Sequence, residues 1–390
     1  MKKFLALSVA AMLTVMSFAG CSQKDTAGKT EKNDGNSSEL LIGGIGPLTG
    51  AAASYGIAVK NGAELAIDEI NAAGGVNGIK LKLDFQDDEH DAEKSVNAYN
   101  TLLDKGMKVL MGTVTSVPCV AVSAKSAEDN IFQISPSASA VDCVANDNAF
   151  RICFSDPDQG SASARYIAEN NIAKKVAVIY NSSDVYSSGI YEKFASEAQT
   201  QGIEITTAQA FTKDSATDFT VQIQKIKESG AELVFLPIYY QEAALILTQA
   251  NKAGLETKFF GCDGLDGLIG QLDDNASLAD GVMLLTPFAP DAKDEATQKF
   301  TAAYKEKFKE VPIQFAADAY DAIYTIKTAM EKADIKDASI SASDLCDKLK
   351  AVMTEITVEG VTGTMNWSET GEPTKEPKAM VIENGAYKAM

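Results

Sequence analysis

From Leu40 onward the chain alternates short apolar runs with longer stretches of helical period, and it does so in two successive series. In the first, apolar runs at 40–45, 81–85, 109–111, 131–134 and 150–154 enclose helical patterns at 55–71, 92–104 and 120–128. The second places runs at 175–180, 203–207, 233–237, 259–261 and 282–285 around helical patterns at 188–199, 219–228 and 242–252. Runs this short and this continuously apolar suit strands buried on both faces, and helices between them enforce parallel pairing by crossover. The pattern predicts an α/β fold with two doubly wound lobes. Helices are expected again near 296–308, 315–332 and 343–353, and short strands at 361–365 and 378–382.

In open parallel sheets, ligands meet the loops that follow the carboxyl ends of the strands. The first such loop, Gly44-Ile45-Gly46-Pro47-Leu48-Thr49-Gly50, lacks GxGxxG spacing, and Pro47 removes an N–H from any phosphate cradle. Neither GxxxxGK[ST] nor GxSxG occurs, so an enzyme is poorly supported. Two other loops carry small hydroxyl residues. Thr113, Thr115 and Ser116 lead into a helix, while Ser135, Ser137 and Ser139 follow the next strand. Hydroxyls and free N–H groups at a helix N-terminus suit a small carboxylate, and they suit helix capping equally well. In the second series Tyr186, Tyr239 and Asp263 follow strands. Asp263 could hold an ammonium group or form an ordinary Asp-Gly turn.

The formal charge is −19. A body this acidic has no basic stripe with which to track phosphates, which excludes nucleic acid as a partner. His90 is the only histidine, and the cysteines (Cys21, Cys119, Cys143, Cys153, Cys262 and Cys346) show no metal-ligand spacing. No metal or cofactor is expected. The cluster Asp87-Asp88-Glu89-His90-Asp91 lacks the ligand spacing of a calcium loop and is expected to be a solvated strand-to-helix corner. Cys119 and Cys143 are candidates for a disulfide, because the two hydroxyl loops beside them must converge if both touch one ligand. Cys153 is an alternative partner, and a set of buried thiols is the other reading.

The first 38 residues read as a leader and a tether. Lys2 and Lys3 precede an apolar stretch too short to span a bilayer comfortably, and Phe18-Ala19-Gly20-Cys21 resembles a bacterial lipobox, with Phe18 where Leu is usual. Residues 22–38 contain no large apolar side chain and read as a flexible leash. Residues 1–20 are thus expected to be a lipoprotein signal peptide, Cys21 the lipidated N-terminus, and 21–38 the tether. The body would then sit at the outer face of the cytoplasmic membrane, joined to it by lipid alone.

Pro47-Leu48-Thr49-Gly50, Tyr55-Gly56, Gly62-Ala63, the run from Ile70 to Gly78 and Ser155-Asp156-Pro157-Asp158-Gln159-Gly160 together resemble the leucine/isoleucine/valine-binding proteins. These are type I extracellular solute-binding proteins of branched-chain amino acid ABC importers. The resemblance implies a monomer with lobe 1 at 39–156 plus 287–363 and lobe 2 at 157–286 plus 364–390, joined by three hinge crossings. It implies that Ser116, Ser137 and Ser139 meet the ligand's head group and that Tyr55 and Thr115 line the pocket. Tyr186, Tyr239 and Asp263 would join on closure, Asp263 standing where a Glu commonly binds the ammonium. Thr115 and His90 occupy positions of a cysteine pair found in some relatives. The implied partners are an α-amino acid, branched-chain in type, and the permease of an ABC importer. A small polar amino acid or amide is the alternative ligand, suggested by Ser137, Thr115 and Cys262, and a ligand-sensing module is the alternative role.

Overall fold

A computed structural model of the chain describes residues 39–390. The leader, Cys21 and the tether lie outside the described residues. The first series forms β1 (Glu39–Gly46), α1 (Ala53–Ala72), β2 (Lys80–Asp87), α2 (Ala92–Asp104), β3 (Val109–Gly112), α3 (Ser116–Glu128), β4 (Phe132–Ser135) and β5 (Ala149–Arg151). Its five strands make one sheet in the order β2-β1-β3-β4-β5, parallel throughout. The inner strands β3 and β4 are buried along their whole length, whereas β2 at the edge is half-exposed. The difference follows from helices covering both faces at the sheet's centre.

The second series forms α4 (Asp156–Glu169), β6 (Lys175–Asn181), α5 (Val185–Thr200), β7 (Glu204–Phe211), α6 (Thr220–Ser229) and β8 (Leu233–Leu236). It continues through α7 (Tyr240–Lys252), β9 (Lys258–Gly261), α8 (Leu268–Leu272) and β10 (Met283–Thr286). Next come α9 (Glu295–Phe308), α10 (Gln314–Lys332), α11 (Ala342–Val352), β11 (Val358–Gly360), β12 (Gly363–Met365), β13 (Lys378–Glu383) and β14 (Ala386–Ala389). The second sheet runs β14-β13-β10-β9-β8-β6-β7. Its first five members in chain order pair in parallel, and β13 and β14 add an antiparallel hairpin beside β10.

Helices α9 to α11 return to the first lobe. Helix α10 lies so close to α1 that a Cβ on Gly62 would stand 2.0 Å from the Ala316 carbonyl oxygen, so only glycine permits the approach. The chain therefore passes between the lobes three times, and a buried cluster ties the first passage to the third. Lys375 Nζ donates to the Ile152 carbonyl at 2.8 Å and to Thr362 Oγ1 at 2.6 Å, with Asp318 Oδ1 at 3.3 Å. Trp367 Nε1 donates to the Arg151 carbonyl at 2.8 Å, and the Arg151 guanidinium meets Glu372 at 3.0 Å. Among the described residues no helix is long and apolar enough to cross a membrane.

Candidate functional site

The carboxyl ends of β3 and β4 bring the two hydroxyl loops together. Thr115 is the N-cap of α3 but makes no side-chain capping bond, and Ser116 opens the helix. Ser116 Oγ accepts from the Ser139 and Ala140 N–H groups at 3.2 and 3.1 Å, which stitches one loop to the other. Ser137 Oγ donates to the Val114 carbonyl at 2.7 Å. Ser139 Oγ is wholly buried beside the Asp156 carboxylate, which it helps hold down against burial. The Ser137 hydroxyl is already engaged by the Val114 carbonyl.

The disulfide expected between Cys119 and Cys143 is not formed. Both are free, buried thiols packed with Ala138 and Ala140. Cys143 Sγ faces the Ser116 carbonyl at 3.8 Å, and Gln133 Nε2 faces Cys119 Sγ at 3.5 Å. The convergence that a covalent link would have enforced comes instead from the Ser116 hydroxyl and its two N–H donors. Cys153 is free and buried as well.

The second lobe answers from the ends of β6, β8 and β9. Asp184 caps α5 by accepting from the Tyr186 N–H, which places the Tyr186 ring in the cleft. Tyr186 Oη donates to Asp263 Oδ1 at 2.7 Å and accepts from the Gly264 N–H at 3.0 Å. A Cβ on Gly264 would stand 2.6 Å from that hydroxyl and 2.7 Å from the Ile238 carbonyl, so the contact requires glycine. Tyr239, the N-cap of α7, stacks on Tyr186 with centroids 4.8 Å apart. The Asp263 N–H donates to Gln159 Oε1 at 3.2 Å, and its carbonyl accepts from Gln314 Nε2 at 2.8 Å.

Asp263 is 3% exposed, and all its hydrogen-bond partners are neutral. Burial pushes its carboxyl up to about 6, against the pull of the Tyr186 hydrogen bond. Behind it Asp156, at the start of α4, is also buried and also raised by burial. Asp156 Oδ1 and Gln159 Nε2 have no hydrogen-bond partner. Two carboxylates served mainly by neutral groups make a place where a cation is favoured.

Bonds between the lobes hold the cleft shut. Tyr55 Oη donates to the Gly264 carbonyl and accepts from the Tyr240 N–H at 3.2 Å, while Phe315 stacks on Tyr55 at 4.1 Å. The Gln314 N–H reaches Asp266 Oδ2 at 2.7 Å. Tyr55, Thr115, Ser116, Ser137, Tyr186, Tyr239 and Asp263 all line one cavity, joined by Val114, Gly264 and Phe315. Ser139 stands just outside that lining, bonded to Ser116 through its N–H. In this shut arrangement the cavity measures about 10 Å³, room for a single water, so a larger occupant requires the tyrosine rings or the lobes to part. A groove of about 650 Å³ elsewhere, lined by Ile57, Val311 and Pro312 among others, is larger but brings no comparable set of buried polar groups together.

Sequence reasoning gave no role to Asp156 or Gln159, although both stand in the Ser155–Gly160 motif. It missed Phe315, which at the start of α10 looks like any core-facing helix residue. The acidic corner also differs from expectation. Asp88 is fully buried rather than solvated, and its carboxyl is raised to about 7 by burial. Among the described residues no group of three or more His, Cys, Asp or Glu could hold a metal ion.

Comparison with known proteins places this geometry. A family model described as periplasmic binding protein matches residues 39–385. Leu/Ile/Val-binding protein homolog 3 of Brucella melitensis is 33% identical over 341 residues, covering 86% of this chain and 88% of the relative. The leucine-, isoleucine-, valine-, threonine- and alanine-binding protein of Pseudomonas aeruginosa is 29% identical over 338 residues, covering 85% and 87%. Among solved structures, the branched-chain amino acid transporter substrate-binding protein LivJ of Streptococcus pneumoniae, in complex with isoleucine, superposes with a TM-score of 0.81. It is 27% identical and covers 90% of this chain and 99% of its own. The two lobes, the three crossings and these similarities agree: the chain belongs to the periplasmic binding proteins, in the group of Leu/Ile/Val-binding proteins.

Proposed function

We propose that the protein captures a branched-chain α-amino acid between its lobes and delivers it to the permease of an ABC importer. The observation that carries this reading is Asp263, a buried carboxylate with neutral partners, facing a cradle of serine hydroxyls and a helix N-terminus. Such a pair of ends suits one ammonium and one carboxylate. The relatives named for leucine, isoleucine and valine support the ligand class.

The side chain is read from what remains of the lining. Val114, Phe315, Tyr55 and Tyr239 are apolar or aromatic. The hydroxyls that suggested a polar ligand are used internally: Ser137 serves Val114, and Thr115 pairs with His90 at 2.8 Å. Cys262 bonds toward Ser163 at 3.6 Å and does not line the cavity. An apolar side chain is therefore favoured over a polar one.

Lobe 1 (39–156 plus 287–363) would take the carboxylate first through Ser116 and Ser139. Swinging about the hinge, lobe 2 (157–286 plus 364–390) would then bring Asp263, Tyr186 and Tyr239 onto the ligand. Lipid on Cys21 would keep this monomeric receptor beside its permease, outside the cytoplasmic membrane. Calorimetry with leucine, isoleucine, valine, alanine and serine tests the reading. Tightest binding by the branched-chain set is expected. No heat with any of the five removes it.

A further inference from the structure

The acidic corner after β2 builds an unusual backbone for the chain's only histidine. Glu89 and His90 are consecutive non-glycine residues at positive φ, +50° and +58°, a conformation that is costly without support. Support comes from the two aspartates before them. Asp87 Oδ1 accepts from the Glu89 N–H and Asp88 Oδ1 from the His90 N–H, both at 2.9 Å. The corner turns His90 away from its own strand and toward the other lobe.

There the ring meets three groups. Its Nδ1 stands 2.8 Å from Thr115 Oγ1, the hydroxyl that does not cap α3. Its Nε2 lies 3.9 Å from Asp184 Oδ2, and its edge meets the Tyr239 ring at 5.5 Å and 90°. Thr115 belongs to the first lobe, and Asp184 and Tyr239 to the second. Asp184 uses its other oxygen to cap α5, so Oδ2 is the one turned to the histidine.

We propose that His90 is a latch across the cleft: held by Thr115, its ring engages Asp184 and Tyr239 when the lobes shut, and this contact slows ligand release. His90 is a positioning residue and need not touch the ligand. The charged and titratable groups around it are Asp184, Tyr239, Lys213 from the turn after β7, and Asp91 of its own loop. Burial and the Lys213 charge hold the imidazole down to about 4, and burial lifts Asp184 to about 6. At neutral pH the ring is uncharged and the carboxylate ionised. The arrangement then fits a Thr115 hydroxyl donating to Nδ1 and an Nε2–H turned toward the Asp184 anion.

The kinetic arm of the test rests on the amino acid reading and uses leucine. His90→Ala should raise the leucine off-rate about tenfold while leaving the on-rate within about twofold, because docking on the first lobe precedes closure. His90→Gln, which can present an amide N–H to Asp184, should restore most of the wild-type off-rate. Asp184→Asn keeps the α5 cap and should also speed release, and the double variant His90→Ala/Asp184→Asn should be no faster than His90→Ala alone. An unchanged off-rate in His90→Ala, or additive effects in the double variant, overturns the latch. A second arm reads the ring directly, since the single histidine gives one set of ring nitrogen signals. Those signals should report an Nε2–H tautomer at pH 7 and should move in Thr115→Val without ligand, and in Asp184→Asn once leucine has shut the lobes. If wild type binds no amino acid, the functional reading falls and the ring signals alone decide. Identical spectra in wild type and Thr115→Val would then overturn the latch.

Discussion

Replacing Asp263 by Asn removes a charge while keeping size and an acceptor for Tyr186 Oη, so it isolates electrostatics from shape. The carboxyl stands near 6 in the shut cleft against an ordinary 3.8. A shift of this size corresponds to roughly 3 kcal/mol by which burial disfavours the ionised form. A ligand ammonium reverses that penalty by supplying the missing counter-charge. Asn relieves the penalty but leaves the ammonium without its anion in a site that excludes water. A hydrogen bond to a charged group contributes about 1.5–3 kcal/mol, so affinity for leucine should fall about 10–150-fold. The same reasoning fixes a pH dependence. Since the raised carboxyl takes up a proton as pH falls through about 6, proton and ammonium compete. Wild-type affinity should therefore drop below about pH 6, by up to about tenfold per unit, and this part of the slope should vanish in Asp263→Asn. Calorimetry from pH 5 to pH 8 with leucine and with 4-methylpentanoate, its desamino counterpart, separates the causes. The desamino acid should bind wild type poorly, and the variant should discriminate less between the two. Equal losses for both ligands would mean general damage to the cleft. No loss for either would reduce Asp263 to a turn residue.

Ser116 and Ser139 should part company under substitution. Ser116→Ala strands the buried Ser139 and Ala140 N–H groups, each worth about 1–3 kcal/mol when unsatisfied, so melting temperature and leucine affinity should both fall. Ser139→Ala strands no N–H group and removes a hydroxyl beside the Asp156 carboxylate, so it should cost about tenfold in affinity with a smaller fall in melting temperature than Ser116→Ala; a larger fall with intact affinity would refute that division. Lys375→Met removes the cation from a buried pair with Asp318, whose carboxyl burial already lifts to about 7. It should destabilise by about 3–5 kcal/mol in chemical unfolding, and a loss under 1 kcal/mol would show that the hinge cluster is held by packing alone. Cys21→Ser should release the mature chain from membranes or leave it unprocessed, as seen by detergent partitioning, and a mature, membrane-retained variant would dismiss the anchor.

What was legible in the sequence was whatever depends on period and on position relative to a strand end. Strands β3, β4, β8 and β10 announce themselves because burial on both faces demands unbroken apolar runs. Edge strands need not be apolar throughout, and β7 accordingly runs to Phe211, beyond the 203–207 segment. Strand β14, short and partly exposed, left no signal. Within the site, Thr115, Ser116, Tyr186, Tyr239 and Asp263 all follow strands, where position alone marks them. Phe315 enters on a helix from the far end of the chain, and nothing local distinguishes it. The cysteines show a different limit. Convergence of the two hydroxyl loops was a sound expectation, but a disulfide and a serine hydroxyl accepting two N–H groups satisfy that geometry equally well. In the fold the serine hydroxyl does so and the thiols stay free. The hinge was least legible for a related reason: Ile152, Thr362 and Lys375 are far apart in the chain, and a lysine in a loop ordinarily points to water. It turns inward here because the Ile152 carbonyl of the first passage, the Thr362 hydroxyl of the third and the Asp318 carboxylate of α10 arrive at one buried point. That single ammonium thus links the first and third of the passages about which the lobes must swing.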